Sequence, residues 1–350
     1  MRLVSTHLLK EGDIIARDII SQEGGILLRH DTRFRKIFTN KLLERNISEV
    51  YIRDEISEGI EPTEAIQQQV KKEIVKDIKT QFDHMKDSFE LNMKVLSQVT
   101  SLLIEELSGK DLIFELEDLK TNDNYTYEHC IAVAMMTHLV CDKMMIPIEQ
   151  KKHIVLGALI HDIGKMILPK DILNKPGQLT SEEYAIVKNH SEVGYMMIKD
   201  NPEVHAITKL IVLCHHERED GSGYPLGKGA ELHIGAKIVA ACDVYHALIS
   251  NRCYRQGLPI NEVIAIAQNE PINPHIRVVI EQSLAYYPVG CMVTLSDGSI
   301  GIVEKNFSAD IKRPIVRVIN SANGMEQYSY KINLQEDKNY SIVGRYMGTI

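Results

Sequence analysis

The sequence has no long apolar run, no paired cysteines and no basic tract, and each of these absences excludes a class of protein. No uninterrupted apolar stretch reaches the roughly 18 residues that a membrane-spanning helix needs. Near the N-terminus, Lys10 and Glu11 stand where a signal peptide would have its apolar segment. We therefore expect a cytoplasmic protein that does not insert into membranes.

The cysteines and the net charge exclude two further classes. The six cysteines, at positions 130, 141, 214, 242, 253 and 291, form no Cys-x-x-Cys pair. In a chain without an export signal, this pattern is typical of reduced cysteines that fill the core. A formal charge of −8 without a basic tract disfavours polymeric nucleic acid as a partner. A small phosphate-bearing substrate remains compatible if local cations or metal ions hold it.

The first two segments of the chain differ in their residue patterns. Residues 1–60 contain strand-like runs at 13–20 and 25–31, a short helical run and a further strand, which predicts a small α+β domain. Residues 61–107 repeat apolar residues at steps of three and four, which is typical of a long helical connector with one buried face. Packing of that face on the next domain is favoured, and a homodimer paired through it is the alternative.

The remaining two segments complete the predicted fold. Residues 108–287 have a mostly helical pattern and contain all but three of the fourteen histidines. Residues 288–350 contain strand-like runs around Ser296-Asp297-Gly298 and Asn323-Gly324, which predicts two hairpins and a small β-rich domain. The predicted fold class is therefore mainly α, with a helical bundle between a small N-terminal α+β unit and a C-terminal β-rich domain.

The first motif that carries chemistry is HDIGK. His161 and Asp162 are adjacent, and Lys165 follows after about one helical turn. Because residues three and four apart share a helix face, Lys165 is expected on the same side as the His-Asp pair. Taken alone, the motif is equally typical of an ordinary helix end with a polar pair.

The second motif is HHEREDGSGYP. His215 and His216 follow an apolar helix, and imidazole nitrogens are suitable ligands for Fe, Zn and Mn-type centres. Gly221 and Gly223 allow close backbone approach to a ligand. Taken alone, this motif also fits a polar helix end that leads into a surface loop.

Three further residues are candidate ligands at helical positions: His129, His190 and Asp243. Asp243 follows an apolar run, so we expect it to be buried, and a buried carboxylate without a partner is costly. A divalent metal ion would offset that charge. A single histidine on an apolar face is more often a core residue, so His129 and His190 alone decide little.

HDIGK and HHEREDGSGYP together, with these three residues, resemble the HD-GYP family of HD-superfamily metal-dependent phosphohydrolases over about residues 120–275. The resemblance implies a phosphodiesterase that cleaves cyclic di-GMP to the linear dinucleotide pGpG, with a hydroxide shared by two cations, and it leaves open whether pGpG is cleaved further to GMP. It implies two divalent metal ions, iron or manganese. The ligands of one are His129, His161, Asp162 and Asp243, and those of the other are His190, His215, His216 and Asp162.

The resemblance also implies roles beyond metal binding. His161, Asp162 and Lys165 are the expected catalytic residues. Lys165, Gly223, Tyr224, Pro225, Arg252 and Arg255 are the expected substrate contacts, and arginine suits phosphate because its planar guanidinium binds two oxygens at once.

Three positions depart from the family pattern. Tyr125 stands where some members carry a glutamate that holds a third metal, so a binuclear site is predicted. His246 replaces a second acidic residue and is expected to contact the substrate or a ligand. Glu219 replaces a large residue and is expected at the rim of the site.

Two alternatives to cyclic di-GMP hydrolysis remain. One is hydrolysis of another 3′,5′-linked cyclic dinucleotide, such as cyclic GMP-AMP. The other is a receptor that binds the dinucleotide without cleaving it, which the complete ligand set disfavours. The intact Gly-Tyr-Pro tripeptide disfavours a nucleoside-phosphate hydrolase.

Overall fold

The computed structural model describes residues 1–20, 26–45, 47–62, 65–109, 113–114, 126–173, 175, 177–250, 257–320 and 330–348. These residues form two compact units. One unit combines Met1–Thr63 with Leu284–Ile350, and the other contains Glu64–Ser283. The two ends of the chain thus share one unit, and the segment predicted as a helical connector lies in the same unit as the histidine-rich region.

The first unit is built mainly from short antiparallel strands. Its N-terminal elements are β1 (Arg2–Ser5), β2 (Ile14–Ile15), β3 (Ile19–Ile20), β4 (Ile26–Leu28), α1 (Thr39–Leu43) and β5 (Glu49–Arg53). β5 lies between β1 and β2, with Arg2 opposite Ile52 and Ser5 opposite Glu49, while β3 pairs with β4. Phe34, Ile15 and Val50 belong to the apolar core of this part.

The C-terminal part of the same unit is one five-stranded antiparallel sheet. Its strands are β6 (Met292–Leu295), β7 (Ile300–Lys305), β8 (Ile315–Asn320), β9 (Tyr330–Asn333) and β10 (Ile342–Arg345), in the spatial order β10-β6-β7-β8-β9. Ile60 packs against Val289, Met292 and Ile302, which joins the two parts of the unit in one core. The predicted turn at Asn323-Gly324 lies outside the described residues, although the flanking strands β8 and β9 pair as predicted.

The second unit is helical, as the sequence predicted. Its helices are α2 (Gln68–Ser88), α3 (Met93–Leu107), α4 (Thr126–Lys143), α5 (Ile148–Ile160), α6 (Lys170–Leu173), α7 (Ser181–Lys188), α8 (His190–Ile198), α9 (Ala206–Cys214), α10 (Ile234–Ile249), α11 (Ile260–Ala267) and α12 (Pro274–Glu281). Every residue from Cys130 to Cys141 in α4 is buried, which is typical of a helix at the centre of a bundle. α4 packs against α5 and α10, so these helices surround the centre of the unit.

The single long helix predicted between Ile66 and Leu103 is two helices. The chain leaves α2 at Phe89, whose φ of 58° lies in the left-handed region that ends a helix. α3 then starts afresh, with the side chain of Asn92 accepting a hydrogen bond from the amide of Val95. The apolar spacing continues across the break because both helices bury one face.

Two expectations from the sequence concern membrane-spanning helices and cysteines. Among the described residues, no helix is both long and apolar enough to cross a membrane. Five cysteines are described, and all five are buried and free of disulfide bonds, while Cys253 lies outside the described residues.

Candidate metal centre

Five parts of the helical unit bring seven candidate ligands together. His129 comes from α4, and His161 and Asp162 follow the end of α5. His190 begins α8, the pair His215 and His216 follows α9, and Asp243 lies in α10. The structure therefore places the residues of HDIGK, of HHEREDGSGYP and of the three separate helical positions in one cluster.

The HDIGK segment turns sharply at the end of α5. α5 ends at Ile160, and a 3-10 helix spans Ile163–Ile167. In a 3-10 helix, residues three apart lie above one another, which brings Lys165 over Asp162. The Lys165 Nζ donates a hydrogen bond of 2.6 Å to Asp162 Oδ2. Lys165 thus lies on the expected side, through a tighter turn than the predicted α-helix.

Gly164 allows the HDIGK turn to touch the start of α8. A Cβ atom at Gly164 would lie 2.0 Å from the carbonyl oxygen of His190 and 2.6 Å from the amide nitrogen of Gly194. No side chain fits in that space. The glycine therefore permits the close approach that brings His190 beside Asp162. In the sequence, this contact is indicated by the glycine within the HDIGK motif.

Three of the histidines are oriented by carbonyl groups at the end of the preceding helix. The last carbonyls of a helix have no amide partner within the helix, so they can accept other hydrogens. In each case the imidazole Nδ1 donates to the residue three positions earlier: His161 to Ala158 at 2.8 Å, His190 to Val187 at 2.6 Å and His215 to Val212 at 2.9 Å. A neutral imidazole has one N–H, so Nε2 of each ring carries a lone pair.

These lone pairs face one another, which is an arrangement that a cation would satisfy. Nε2 of His190 lies 3.0 Å from Nε2 of His215, although neither nitrogen has a hydrogen to share. The buried Oδ1 of Asp162 accepts no hydrogen bond from the described residues, even though Nε2 of His190 is 3.2 Å away. Buried acceptors without donors are uncommon in folded proteins. The donor set of imidazole nitrogens and carboxylates suits Fe, Mn or Zn.

The ligand atoms fall into two main groups around Asp162. One group is Asp162, His190, His215 and His216, and the other is His129, His161 and Asp243, each with ligand atoms within 4.8 Å of one another. The Oδ2 of Asp162 is 3.6 Å from Nε2 of both His129 and His161. Asp162 therefore contacts both groups. The cluster is compatible with metal binding.

Cys130 is a member of the cluster that the sequence did not indicate. Its sulfur lies within 4.8 Å of ligand atoms of His161 and Asp162, and the residue is buried. Burial and the negative charge of Asp162 raise the pKa of the Cys130 thiol, which favours the protonated and weakly ligating form. The available signal was its position directly after His129, which is too common an arrangement to be informative.

The charges in the cluster are those that a cation site requires. Burial alone would raise the pKa of Asp162, but the ammonium of Lys165 and the neighbouring imidazoles hold this pKa well below its usual range. Burial lowers the pKa of His161 to about 3 and also lowers the pKa of His190 and His216. The arrangement thus combines an ionised carboxylate with neutral imidazoles.

The Gly-Tyr-Pro loop is tied to the backbone next to His216. The buried carboxylate of Glu217 accepts hydrogen bonds from the amides of Leu226, Gly227 and Lys228 at 2.5, 3.0 and 3.1 Å. A Cβ at Gly223 would lie 2.5 Å from the carbonyl oxygen of His216, so only glycine fits there. The sequence analysis assigned no role to Glu217. An acidic residue directly after the two histidines of HHEREDGSGYP was the feature that could have indicated it.

Tyr224 and Pro225, predicted as substrate contacts, lie in this loop. The ring of Tyr224 stacks on His216, with the centroids 4.7 Å apart.

Glu219 pairs with Lys237 at 3.3 Å and accepts a hydrogen bond from Asn273 at 3.0 Å. The Glu219 side chain therefore ties the loop to α10 and to the start of α12.

His246 contacts a candidate ligand. It is fully buried in α10, and its Nδ1 lies 2.7 Å from Nδ1 of His129. Its Nε2 is 3.0 Å from the hydroxyl oxygen of Ser250. Of the two roles expected for His246, the structure places it beside a candidate ligand.

Three predicted positions lie outside the described residues: Tyr125, Arg252 and Arg255. The absence of a third metal ligand at position 125 and the phosphate contacts of the two arginines therefore stay predictions.

The helical region is similar to known proteins. Residues 106–276 match the model of the HD domain family. A cyclic di-GMP phosphodiesterase of Pseudomonas aeruginosa is 36% identical over 228 residues, which cover 63% of this chain and 55% of that protein. A cyclic di-GMP phosphodiesterase of Thermotoga maritima is 34% identical over 168 residues, covering 47% of this chain and 44% of the relative.

A further relative is named for a different cyclic dinucleotide. A 3′3′-cGAMP-specific phosphodiesterase of Vibrio cholerae is 33% identical over 177 residues, covering 47% of this chain and 40% of the relative. The chain spans about half the length of the curated relatives it matches. Among solved structures, an HDG"Y"P protein from Bdellovibrio bacteriovorus superposes with a TM-score of 0.51 at 17% identity, covering 80% of this chain and 97% of that one, which supports the fold.

Proposed function

We propose that this chain is a metal-dependent phosphodiesterase that hydrolyses cyclic di-GMP to linear pGpG, because residues 106–276 match the HD domain family and include the Gly-Tyr-Pro tripeptide. The observation that carries the proposal is the buried cluster around Asp162, where imidazole lone pairs face a carboxylate oxygen that has no hydrogen-bond partner among the described residues. Relatives named cyclic di-GMP phosphodiesterases in two bacteria favour this substrate.

The proposed cofactors are two divalent metal ions, iron or manganese. We assign His129, His161, Asp162 and Asp243 to one ion and His190, His215, His216 and Asp162 to the other. When bound, such ions supply positive charge for the phosphate oxygens and make water a stronger nucleophile at neutral pH. Tyr125 in place of a glutamate supports a binuclear rather than a trinuclear centre, because a phenol is a poor ligand near neutral pH.

Lys165 has a separate role in the proposed mechanism. Its ammonium uses one N–H for Asp162 Oδ2 at 2.6 Å, and its side chain is one-quarter exposed. An ammonium group has three donors, so it can hydrogen-bond to a carboxylate and to a phosphate oxygen of the substrate at the same time. Lys165 would thus fix the carboxylate and attract the substrate phosphate. Arg252 and Arg255 are the proposed further phosphate contacts.

The Gly-Tyr-Pro loop would form one wall of the substrate site. Tyr224 lies against His216, a proposed ligand, and the Glu217 carboxylate fixes the backbone after Pro225. A loop held in one conformation orients a substrate without an ordering cost at the moment of binding. Gly223, Tyr224 and Pro225 are therefore proposed as substrate contacts.

A second candidate substrate is 3′3′-cyclic GMP-AMP. The relative from Vibrio cholerae that is named for this dinucleotide is about as similar as the relative from Thermotoga maritima. Both dinucleotides present the same phosphodiester groups, so the cluster itself does not discriminate between them. A direct comparison of the two substrates decides between these activities.

The test is a hydrolysis assay of the purified chain under reducing conditions with Mn²⁺ or Fe²⁺. Cyclic di-GMP and 3′3′-cyclic GMP-AMP are supplied in parallel, and products are separated by chromatography. The double substitution His161→Ala/Asp162→Ala should abolish product formation. His153→Ala, which changes a histidine in helix α5 that lies outside the cluster, is the control and should retain activity.

Three outcomes distinguish the proposals. Formation of pGpG that the double substitution abolishes supports the proposed phosphodiesterase. Faster cleavage of cyclic GMP-AMP would replace cyclic di-GMP as the substrate. No product from either dinucleotide, with about two metal ions bound per chain, would contradict the enzyme and favour a receptor.

A further inference from the structure

We propose that His246 is a positioning residue that fixes the hydrogen of His129 on Nδ1 and thereby sets the affinity of one of the two cations. The inference rests on the proposed metal centre. Its basis is the 2.7 Å distance between Nδ1 of His246 and Nδ1 of His129, formed by a histidine with no exposed surface. At this distance, one of the two nitrogens must donate and the other accept.

His129 differs from the other oriented histidines in its place on a helix. His161, His190 and His215 each follow a helix end and donate to a carbonyl that the helix leaves without a partner. His129 lies inside α4 (Thr126–Lys143), where the carbonyls accept the amide hydrogens of the helix itself. A side chain must therefore replace the carbonyl as the acceptor, and among the described residues His246 lies in that position.

The direction of the hydrogen bonds follows from metal binding. A nitrogen that binds a cation carries no hydrogen, and Nε2 of His129 faces the cluster, 3.1 Å from Asp243 Oδ1. The ring hydrogen of His129 must then lie on Nδ1, and Nδ1 of His246 must accept it. A neutral His246 consequently carries its own hydrogen on Nε2, which lies 3.0 Å from the hydroxyl oxygen of Ser250, and this oxygen is 3.3 Å from Nδ1 of the same ring. One consistent chain thus runs from His129 through His246 to Ser250.

The identity of the acceptor matters because it changes the charge near the cation. A carboxylate acceptor would add a negative charge behind His129 and strengthen the binding of a cation, whereas an imidazole adds none. We therefore infer that His129, His161 and Asp243 bind their cation more weakly than they would with aspartate at position 246.

The test is calorimetric titration of Mn²⁺ into the metal-free full chain, without substrate. His246→Leu removes the acceptor, while His246→Asn is close to leucine in shape and presents an acceptor near the position of Nδ1. We expect His246→Leu to weaken one of two Mn²⁺ sites by about 10- to 100-fold and to leave the other unchanged. His246→Asn should restore most of this loss, and His246→Asp should bind the weaker ion more tightly than the wild type.

Two control substitutions separate positioning from general packing. His138→Leu removes another fully buried histidine of the unit, from the same helix as His129, and should leave both Mn²⁺ sites intact. Ser250→Ala removes the hydroxyl beside His246 and should weaken the same Mn²⁺ site by less than His246→Leu does. Circular dichroism of each variant establishes that the helical fold is retained.

Several results would overturn the inference. Wild-type Mn²⁺ binding in His246→Leu, or equal losses in the leucine and asparagine variants, would show that the acceptor has no role. If His246→Leu fails to fold, the other two variants still test the inference. His246→Asn must then bind Mn²⁺ nearly as tightly as the wild type at the affected site, and His246→Asp must bind it more tightly. A wild-type chain that binds two Mn²⁺ but cleaves no dinucleotide would refute the proposed function and leave this inference intact.

Discussion

The ring of Tyr224 lies over the ring of His216, with centroids 4.7 Å apart and 26° between the planes. His216 is a proposed metal ligand, and Tyr224 belongs to the loop that is proposed to contact the substrate. The ammonium of Lys188 also lies over the ring of Tyr224, 5.2 Å from its centroid. The position of the loop and the orientation of a ligand are therefore coupled through one aromatic ring.

Removing this ring should weaken catalysis without unfolding the protein. Tyr224→Ala loses the stacking on His216, which is worth about 0.5–1.5 kcal/mol for an aromatic pair. We expect kcat/KM for cyclic di-GMP to fall by about 2- to 12-fold, as measured by steady-state kinetics. Tyr224→Phe keeps the ring and should stay within about twofold of the wild type. Equal losses in both variants would assign the effect to the phenol hydroxyl instead.

The carboxylate of Glu217 should stabilise the loop after the Gly-Tyr-Pro tripeptide. Glu217→Gln replaces a charged acceptor of three amide hydrogens by a neutral group with donors of its own. Hydrogen bonds to charged groups are worth about 1.5–3 kcal/mol, so we expect a decrease of this size in the free energy of unfolding, measured by urea denaturation.

Glu219→Gln is the matched control for Glu217→Gln. Glu219 stands two residues further on, and its ion pair with Lys237 is partly exposed, so its loss should change stability by less than about 1 kcal/mol. Equal destabilisation by the two substitutions would contradict the special role of the buried carboxylate.

Metal content should depend differently on the two aspartates. Asp162 belongs to one group of ligands and lies 3.6 Å from two histidines of the other, whereas Asp243 belongs to the group with His129 and His161 and lies 3.7 Å from Nδ1 of His216. Asp162→Asn should therefore lose both metal ions after dialysis, and Asp243→Asn should lose one, as measured by mass spectrometry of the metal content.

Loss of metal should also lower the melting temperature, because ligands that bind only the folded state stabilise it. Retention of one tight ion by Asp162→Asn would refute the bridging position.

His138 should make the stability of the helical unit depend on pH. The residue is fully buried, and burial lowers its pKa to about 4, although the carboxylate of Asp142 lies 3.0 Å from its Nε2 and opposes this shift. Lys151, on α5, pairs with the same carboxylate and adds positive charge near the ring. In the unfolded chain a histidine has a pKa of about 6.5, so the unfolded state binds more protons between pH 6.5 and 4. Stability is present above pH 6.5 and falls as the pH decreases towards 4.

The measurement compares the metal-free wild type with His138→Leu. The unfolding free energy of the wild type should decrease by about 2–3 kcal/mol more than that of the variant as the pH falls from 6.5 to 4. The other histidines titrate alike in both proteins and cancel in the difference. Parallel pH curves would show that His138 does not titrate in this window.

The sequence by itself indicated the fold class and the chemistry of the second unit. Helical spacing and strand alternation are properties of neighbouring residues, so the helix around His129 and the hairpin β6–β7 were predictable. HDIGK and HHEREDGSGYP contain four of the seven candidate ligands, and the resemblance to the HD-GYP family added His129, His190 and Asp243. The same local character explains the error at Phe89, since apolar spacing continues across a turn that one left-handed residue creates.

The tertiary structure alone decided which distant residues touch. It joined the two ends of the chain in one unit through Ile60 and Met292, and it gave Glu217 its three amide partners. It also placed His246 beside His129, 117 positions away in the chain. No local pattern encodes such a contact, because it depends on how α4 and α10 pack. The sequence therefore determined the candidate ligands, and the packing of the helices determined how each one is held.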